Sequence, residues 1–313
     1  MHYQTKQRFV GAIRNLNSFI YNLFYFANRS QEDNDFAALR NLVLSLPNEV
    51  KMQYAEECAY LETMPLSDLH LIMLPYPLKD DMYSSADSIV LAKEKGLFYV
   101  LHNNKSKLFF PKSSVGNEYI SLVYKEGLLG TGHLAKSPHC YQDDTFKVEN
   151  GDILLDVGCA EAIFALDNVD KVSKAYLFES DPAWRKPLQL TFAPYADKVV
   201  IVNKLVADKT TRKSTRLMDA VKNDMTDNSH FFVKMDIEGW ERTVIEGNAD
   251  FFKAAKVKLS CCVYHRQDDA QVIDEMLKSL GYKTRFSDGY MLPTMNGIHY
   301  PYFRHGVIYA QNY

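Results

Sequence analysis

From about residue 151 onward, short apolar runs alternate with segments whose apolar residues recur every three or four positions. The short runs predict buried strands, and the periodic segments between them predict amphipathic helices. We predict strands near residues 152–156, 174–179, 198–203, 231–236, 256–264, 282–287 and 304–311. Strands that alternate with helices indicate an α/β domain, so we expect a seven-stranded Rossmann-like sheet with helices on both faces.

The chain before this region shows a different pattern. Apolar residues at helical spacing predict helices over about 9–24, 36–46, 49–61 and 85–95. Two apolar runs around Asn103 and Asn104 predict a β-hairpin with asparagine in its turn. We therefore divide the chain into a helical N-terminal extension or cap (1–95), a hairpin with a linker (96–150) and a core domain (151–313).

Composition and charge narrow the class of protein. The chain has 313 residues, 47% hydrophobic and 24% charged, which is typical of a folded globular protein. A net charge of -3 creates no field that attracts nucleic acid, so we expect no nucleic-acid partner. The five cysteines lack the spacing of a disulfide framework or a zinc site, which favours reduced thiols and a cytoplasmic location.

The first helix is amphipathic and contains several arginines and asparagines. It is too polar and too short to span a bilayer, so we expect no transmembrane segment. It needs a surface to cover its apolar face. The core domain or a second copy of the chain would provide one, which makes a homo-oligomer through the N-terminal helices an expectation; binding to a membrane surface is the alternative.

The first predicted strand of the core domain leads into a turn of small residues. Asp156 ends the strand and is followed by Gly158, Cys159, Ala160, Glu161 and Ala162. Small residues here would let a nucleotide-like ligand lie on backbone amides at the start of the next helix. Glu179 follows the second strand, where a carboxylate can accept both ribose hydroxyl hydrogens.

Two alternative interpretations apply to this turn. Small residues also serve close packing of a helix against a strand, with no ligand involved. A dinucleotide-binding turn would require Gly-x-Gly-x-x-Gly, whereas the chain continues from Gly158 without either later glycine. The turn together with Glu179 therefore favours a nucleoside ligand over a dinucleotide.

A second motif follows the fourth predicted strand. It reads Lys-x-Asp-x-Glu-Gly-x-Glu and runs from Lys234 through Asp236 and Glu238 to Glu241. This motif resembles the FkbM family of S-adenosylmethionine-dependent methyltransferases. The resemblance covers about residues 135–313 and is supported by the segments 137–141, 178–182, 244–247 and 304–309.

The resemblance implies a methyltransferase sheet, with an antiparallel pair of last strands, and S-adenosylmethionine as the cofactor. It places Asp156, Gly158 and Glu179 at the cofactor, Asp208 near the adenine, and Asp236 beside the methionine end or the acceptor. It implies O-methylation of a hydroxyl on a sugar, another glycan or a small metabolite.

The turn departs from the family pattern Gly-Ala-Asn-x-Gly, because Ala160 and Ala162 stand where asparagine and glycine are usual. Alanine at a left-handed position is strained. The alternative function is therefore a non-catalytic cofactor-binding protein, a sensor or an assembly partner.

A hydroxyl acceptor needs a group that takes its proton. His265 is the first candidate because it follows the fifth strand directly; its alternative role is to cap the next helix or to bind a loop carbonyl. Asp236 and Glu238 come second, with ion pairs to Lys234 or Arg242 as the alternative. His139, before the first strand, is third. Asp236, Glu238 and His265 also suit a hard cation, but we expect no permanent metal.

Overall fold

The computed structural model of the chain describes residues 36–64, 91–112, 114, 120–121, 123–124, 127–128, 137–293 and 302–313. The helix predicted over residues 9–24 lies outside these residues. Among the described helices, none combines the length and the apolar character needed to cross a bilayer. The chain divides into two compact units, one comprising Met1–Pro77 and Tyr290–Arg304 and the other Leu78–Gly289 and His305–Tyr313.

The first unit contains the predicted N-terminal helices. Helix α1 spans residues 36–44, α2 spans Asn48–Lys51, and α3 spans Ala55–Thr63, with a 3-10 turn at Met52–Tyr54. The helices predicted over 36–46 and 49–61 are therefore confirmed. Their apolar faces supply the buried side chains of this unit, which include Leu39, Val43 and Leu61.

The second unit begins with a small antiparallel sheet. It consists of β1 (Leu91–Glu94), β2 (Leu97–His102) and β3 (Ser106–Phe109). The predicted hairpin is confirmed, and Asn103 and Asn104 take the left-handed conformation in its turn, with φ of 50° and 54°.

The helix predicted over 85–95 is wrong for residues 91–94, which form β1; residues 85–90 lie outside the described part. Gly96 does not end a helix. Lys95 and Gly96, with φ of 51° and 80°, instead form the two-residue turn of a second hairpin that pairs β1 with β2. Two consecutive positive φ angles match the twist of paired strands.

A seven-stranded sheet dominates the second unit. Its strands are β4 (Ile153–Val157), β5 (Lys174–Phe178), β6 (Val199–Val202), β9 (His230–Met235), β10 (Lys256–Cys262), β11 (Lys283–Phe286) and β12 (Val307–Gln311). Their order is β11-β12-β10-β9-β4-β5-β6, and β12 is antiparallel to both of its neighbours. The α/β fold class, all seven predicted strands and the antiparallel last pair are confirmed.

Short helices connect the strands of this sheet. They are α4 (Ile163–Asn168), α5 (Arg185–Thr191), α6 (Leu217–Val221), α7 (Glu241–Gly247), α8 (Ala249–Ala254) and α9 (Asp269–Ser279). A small parallel pair, β7 (Leu205–Val206) with β8 (Ser214–Thr215), lies between β6 and α6. Every residue of β4 is buried, which a strand achieves when both faces of its sheet are covered.

The register of the parallel strands brings the sequence motifs to one edge. Met235 of β9 is in register with Val157 of β4 on one side and with Cys261 of β10 on the other. Val157 is also in register with Phe178 of β5. The residues that follow these four strand ends therefore meet at the carboxyl edge of the sheet, where open α/β sheets bind ligands.

Candidate active site

The turn after β4 contains three residues in the left-handed conformation. Gly158, Ala160 and Ala162 have φ of 75°, 44° and 62°, and Ala162 is the N-cap of α4. A β-carbon in this conformation crowds the backbone and costs about 1–2 kcal/mol per residue. The two alanines stand where the family pattern has asparagine and glycine, the residue types that adopt this conformation most readily, so the strain expected for Ala162 is present.

Gly158 permits a close approach between two strand ends. A β-carbon built at Gly158 would lie 2.0 Å from the carbonyl oxygen of Asp236. The missing side chain therefore lets the turn after β4 pack directly on the backbone after β9. This contact joins the two sequence motifs.

The backbone amides of the turn are already used within the chain. The N–H groups of Gly158 and Cys159 both donate to the carbonyl of Phe178, at 3.0 and 3.2 Å, and that of Ala162 donates to Cys159. The amide of Ala160 donates to Glu179. In this structure β5 and the turn itself accept the hydrogen bonds of these four amides, and the contact of a ligand with the turn stays a prediction.

Glu179 is fixed against the turn by two backbone groups. One carboxylate oxygen accepts from the N–H of Ala160 at 3.1 Å, and the other accepts from the N–H of Asp181 at 2.7 Å. Burial raises the pKa of Glu179, and the two backbone hydrogen bonds oppose that rise. Each carboxylate oxygen has a second lone pair, so Glu179 can still accept hydrogen bonds from two hydroxyl groups.

Asp156 and Lys234 form a buried ion pair below the turn. The Lys234 Nζ lies 3.2 Å from Asp156 Oδ1 and donates a hydrogen bond to the Gly158 carbonyl at 2.8 Å. Burial opposes the charge of Lys234, but Asp156 and Asp236 hold its pKa above the ordinary value. Asp156 itself is fully buried, so the structure places it under the turn, where it holds Lys234.

Asp236 lies at the centre of a cluster of polar side chains. Its Oδ2 accepts a hydrogen bond from the Tyr141 hydroxyl at 2.6 Å and lies 3.4 Å from His139 Nε2, while its Oδ1 lies 3.4 Å from His265 Nε2. Burial favours the neutral acid, but the contact with His139 and the charge of Lys234 hold the pKa of Asp236 well below its usual range. Asp236 is therefore ionised at neutral pH.

His265 lies between carboxylates on both sides of its ring. Its Nδ1 is 3.1 Å from Glu241 Oε1, and its Nε2 faces Asp236 and, at 3.8 Å, Glu238. Burial opposes protonation, but the Glu241 contact and the charge of Asp236 raise the pKa of His265 to about 9. The imidazole therefore carries a proton at neutral pH in this structure.

Two of the alternative roles considered for these residues are not observed. Helix α9 begins without a side-chain cap from His265, since Asp269 accepts the hydrogen bond from the N–H of Arg266. Arg242 contacts Asp268 and Asp269, so it is not the ion-pair partner of the acidic motif. The structure thus brings together His139, Asp236 and His265, three of the residues predicted as candidates to take the acceptor proton.

The contacts described above do not include Asp208 or Glu161. Asp208 is exposed, and its backbone packs on Gly247 at the carboxyl end of α7. Glu241, whose carboxylate contacts His265, begins α7, and Gly247 ends it, about 9 Å away along the helix axis. The predicted role of Asp208 at the adenine remains a prediction, as do the roles of Glu161 and Cys159.

Sequence reasoning missed four residues of the site. They are Tyr141, Lys234 as the partner of Asp156, Glu241 and Cys262, whose Sγ lies 3.6 Å from His139 Nε2. Lys234 and Glu241 belong to the same motif as Asp236, so their positions in that motif could have indicated that they lie near it. Tyr141 and Cys262 carried no signal of their own, because only the folded sheet brings them to Asp236.

Comparisons with known proteins give partial structural matches and one match to a family model. A methyltransferase FkbM from Methylobacillus flagellatus KT is similar to part of this chain, with 20% identity, a TM-score of 0.42 and coverage of 58% of this chain and 47% of that one. Precorrin 8w decarboxylase from Methanobacterium thermoautotrophicum has 14% identity, a TM-score of 0.35 and coverage of 53% of this chain and 83% of its own. A proposed methyltransferase from Streptococcus mutans in complex with SAH has 11% identity, a TM-score of 0.33 and coverage of 52% of this chain and 90% of its own. This chain spans about half of the Methylobacillus protein.

A comparison with curated proteins returned no match. The model of the methyltransferase FkbM domain matches residues 145–284, a range that includes the turn, Glu179, the acidic motif and His265. Residues 145–284 of this chain therefore resemble a methyltransferase FkbM domain.

Proposed function

We propose that the chain is an S-adenosylmethionine-dependent O-methyltransferase that acts on a hydroxyl of a sugar, another glycan or a small metabolite. The observation that carries the proposal is the contact between Gly158 and the Asp236 carbonyl. This contact places the turn after β4, which Glu179 contacts, beside the polar cluster around Asp236 at the carboxyl edge of the sheet. A donor of a methyl group and its acceptor need to be adjacent in this way, because methyl transfer requires alignment of three atoms.

The charges at this edge fit the cofactor. S-adenosylmethionine supplies a methyl group bound to a positively charged sulfur, together with an ammonium group and a ribose. Among the described residues, the carboxylates of Asp156, Glu179 and Asp236 outnumber Lys234, the cation whose contacts with the turn are described above, and this balance favours a cationic ligand. Glu179 would hold the ribose hydroxyls.

Asp236 has a free acceptor position for this chemistry. Its Oδ1 is buried and has no hydrogen-bond partner among the described residues. A buried carboxylate oxygen without a hydrogen bond is costly, so a ligand that donates one is favoured there. The ammonium of the cofactor or the hydroxyl of the acceptor would each satisfy this oxygen.

The proton of the acceptor hydroxyl also needs a destination. Asp236, ionised, would orient the hydroxyl by accepting its hydrogen bond. His139 and, in the neutral form that it takes above its pKa of about 9, His265 lie on either side as the candidate proton acceptors. Transfer to nitrogen or carbon acceptors depends less on such a group, so a cluster of a carboxylate with two histidines favours an oxygen acceptor.

Expectations about partners and location remain part of the proposal. We propose a cytoplasmic protein with a small-molecule or glycan acceptor and no nucleic-acid partner, consistent with a net charge of -3. We further propose that helices before residue 95 mediate a homo-oligomer. Light scattering on the eluted full chain and on a chain lacking residues 1–35 tests that assembly.

Calorimetric titration of the full chain with S-adenosylmethionine and with its demethylated product tests the cofactor. Transfer of a labelled methyl group to a panel of sugars and small hydroxyl compounds then tests the reaction. Asp236→Asn should lose turnover, whereas Asp227→Asn, which changes an exposed aspartate before β9, should keep both turnover and cofactor binding. Binding without transfer to any acceptor would favour the non-catalytic alternative, and absence of binding would refute the proposal.

A further inference from the structure

Three potential metal ligands converge beside β10. The Nε2 of His139, a carboxylate oxygen of Asp236 and the Sγ of Cys262 all lie within 4.8 Å of one another. They come from the segment before β4, the end of β9 and the end of β10. Because nitrogen, oxygen and sulfur donors meet at one point, the group differs from an acidic cluster.

His139 Nε2 contacts the Tyr141 hydroxyl at 3.0 Å and lies within hydrogen-bonding distance of the Cys262 sulfur, but its separation from Asp236 is longer than an ordinary hydrogen bond. His139 Nε2 lies 3.4 Å from Asp236 Oδ2 and 3.6 Å from Cys262 Sγ. An N–H···O hydrogen bond brings its two heavy atoms to about 2.7–3.2 Å. In a tetrahedral zinc site, bond lengths of about 2.0–2.3 Å place nitrogen about 3.3 Å from oxygen and about 3.6 Å from sulfur. The two separations from His139 match two edges of that tetrahedron, and the third pair of atoms lies within 4.8 Å.

The surroundings of Asp236 support a bound cation. The Tyr141 hydroxyl donates to Asp236 Oδ2 at 2.6 Å, which orients the carboxylate and leaves the second lone pair of that oxygen for a metal. Asp156 is neutralised by Lys234, and Glu241 is neutralised by the protonated His265, which leaves the charge of Asp236 unbalanced. The site therefore retains a negative balance that favours a divalent ion.

We propose that His139, Asp236 and Cys262 bind a divalent transition-metal ion of the zinc type. Thiolate and imidazole ligands select zinc-like ions over magnesium and calcium, which take oxygen ligands. Binding converts the Cys262 thiol to a thiolate, and its proton passes to solvent. The sequence did not predict this site because its three ligands belong to distant segments that lack metal-ligand spacing.

Three protein ligands leave one position of a tetrahedral ion for solvent or a substrate oxygen. For the proposed methyl transfer, that oxygen would be the acceptor hydroxyl, whose proton a bound metal makes easier to remove. This role rests on the proposed function. The binding of the ion itself does not, so the two are tested by different measurements.

Cobalt titration of the metal-free full chain tests the site without cofactor or acceptor. After treatment with a chelator, Co²⁺ should bind at one ion per chain and produce a near-ultraviolet thiolate-to-cobalt absorption band with the visible bands of tetrahedral cobalt. Zn²⁺ should displace it. Cys262→Ser should abolish the thiolate band, and His139→Ala should weaken binding about tenfold or more.

Cys140→Ser is the matched control, since Cys140 is also buried but contacts the carbonyl of Gln142. It should retain the band, and circular dichroism should show that all three variants are folded. Absence of a thiolate band in the wild-type protein, or a band that persists in Cys262→Ser, would overturn the proposal. Cobalt bands without thiolate character would also overturn it and would point to Asp236, Glu241 and His265 instead.

Discussion

The Oε1 of Glu241 lies 3.1 Å from the Nδ1 of His265, and both side chains are almost completely buried, with 1% and 3% exposed. The same oxygen accepts a hydrogen bond from the N–H of Ile237 at 2.9 Å. Glu241 thus connects the imidazole to the loop that carries Asp236. Because Nδ1 faces Glu241, the other ring nitrogen faces Asp236.

This contact predicts a pH dependence of stability. The pKa of His265 is raised to about 9 in the folded chain from an ordinary value of 6.5. Protonation therefore stabilises the folded state: the contribution is fully present below about pH 6.5 and is lost as the pH rises through about 9, a change of roughly 3 kcal/mol. Denaturant unfolding of the metal-free protein at several pH values measures it.

Glu241→Gln should reduce that loss of stability, because the neutral amide can accept the bond from Ile237 but does not favour the protonated imidazole. Glu238→Gln is the control, since its carboxylate is 68% exposed and 3.8 Å from the ring. It should retain most of the pH dependence. An equal effect of both variants would contradict the special role of Glu241.

We predict that Glu179 contributes to cofactor binding. Glu179→Gln should weaken the binding of S-adenosylmethionine by about 1–3 kcal/mol, the usual cost of losing hydrogen bonds to a charged group. The control is Asp181→Asn, two residues further along the chain. This variant should bind S-adenosylmethionine normally, because Asp181 accepts a hydrogen bond from the N–H of Ala183 and asparagine can accept the same bond. Calorimetry on folded variants compares them, and unchanged affinity in Glu179→Gln would remove this residue from the site.

The strain in the turn after β4 predicts an unusual response to glycine. Ala160→Gly should raise the free energy of unfolding by about 0.5–1 kcal/mol, because glycine adopts φ of 44° without steric cost. Ala196→Gly is the matched control at φ of -63°, and it should lower that free energy by about 0.5–1 kcal/mol. A loss of stability in both variants would show that Ala160 is not strained.

Gly158 is predicted to be intolerant of any side chain for a structural reason. Gly158→Ala should lose more stability than Gly151→Ala, although both positions have positive φ. At Gly151 nothing lies within 4 Å of an added β-carbon, so that variant measures the conformational cost alone, about 1–2 kcal/mol. Thermal unfolding compares the two, and equal losses would mean that the contact with Asp236 relaxes freely.

Above about pH 9, where the imidazole of His265 is neutral, His265→Ala should lower turnover by about 100- to 10,000-fold if His265 accepts the acceptor proton, the usual contribution of a positioned base. The affinity for the cofactor should change little, because the ring contacts Glu241 and Asp236 and not the turn. His230→Ala, at the opposite end of β9, should keep its turnover. Retained turnover in His265→Ala would assign the proton to His139 or Asp236.

The hydrophobic pattern predicted the sheet well but failed at one hairpin. Strands such as β4 and β9 are continuous apolar runs, and burial on both faces leaves few alternatives. Residues 91–94 lack such a run, and Gly96 is as common after a helix as in a turn. Only pairing with β2 distinguishes the two, and pairing is a non-local property.

The sequence alone determined the fold class, the seven strands and the positions of the two motifs at strand ends, because these depend on the local order of apolar and polar residues. It also placed Glu179, Asp236 and His265 at one edge, since parallel strands end on the same side of a sheet. The tertiary structure decided which groups contact one another. In the folded chain, the turn amides donate hydrogen bonds to other groups of the chain, and Asp156 is buried in an ion pair with Lys234. Glu241 contacts His265, and His139 and Cys262 lie close to Asp236. These contacts depend on distances of a few ångströms between segments far apart in the chain, which local sequence pattern does not encode.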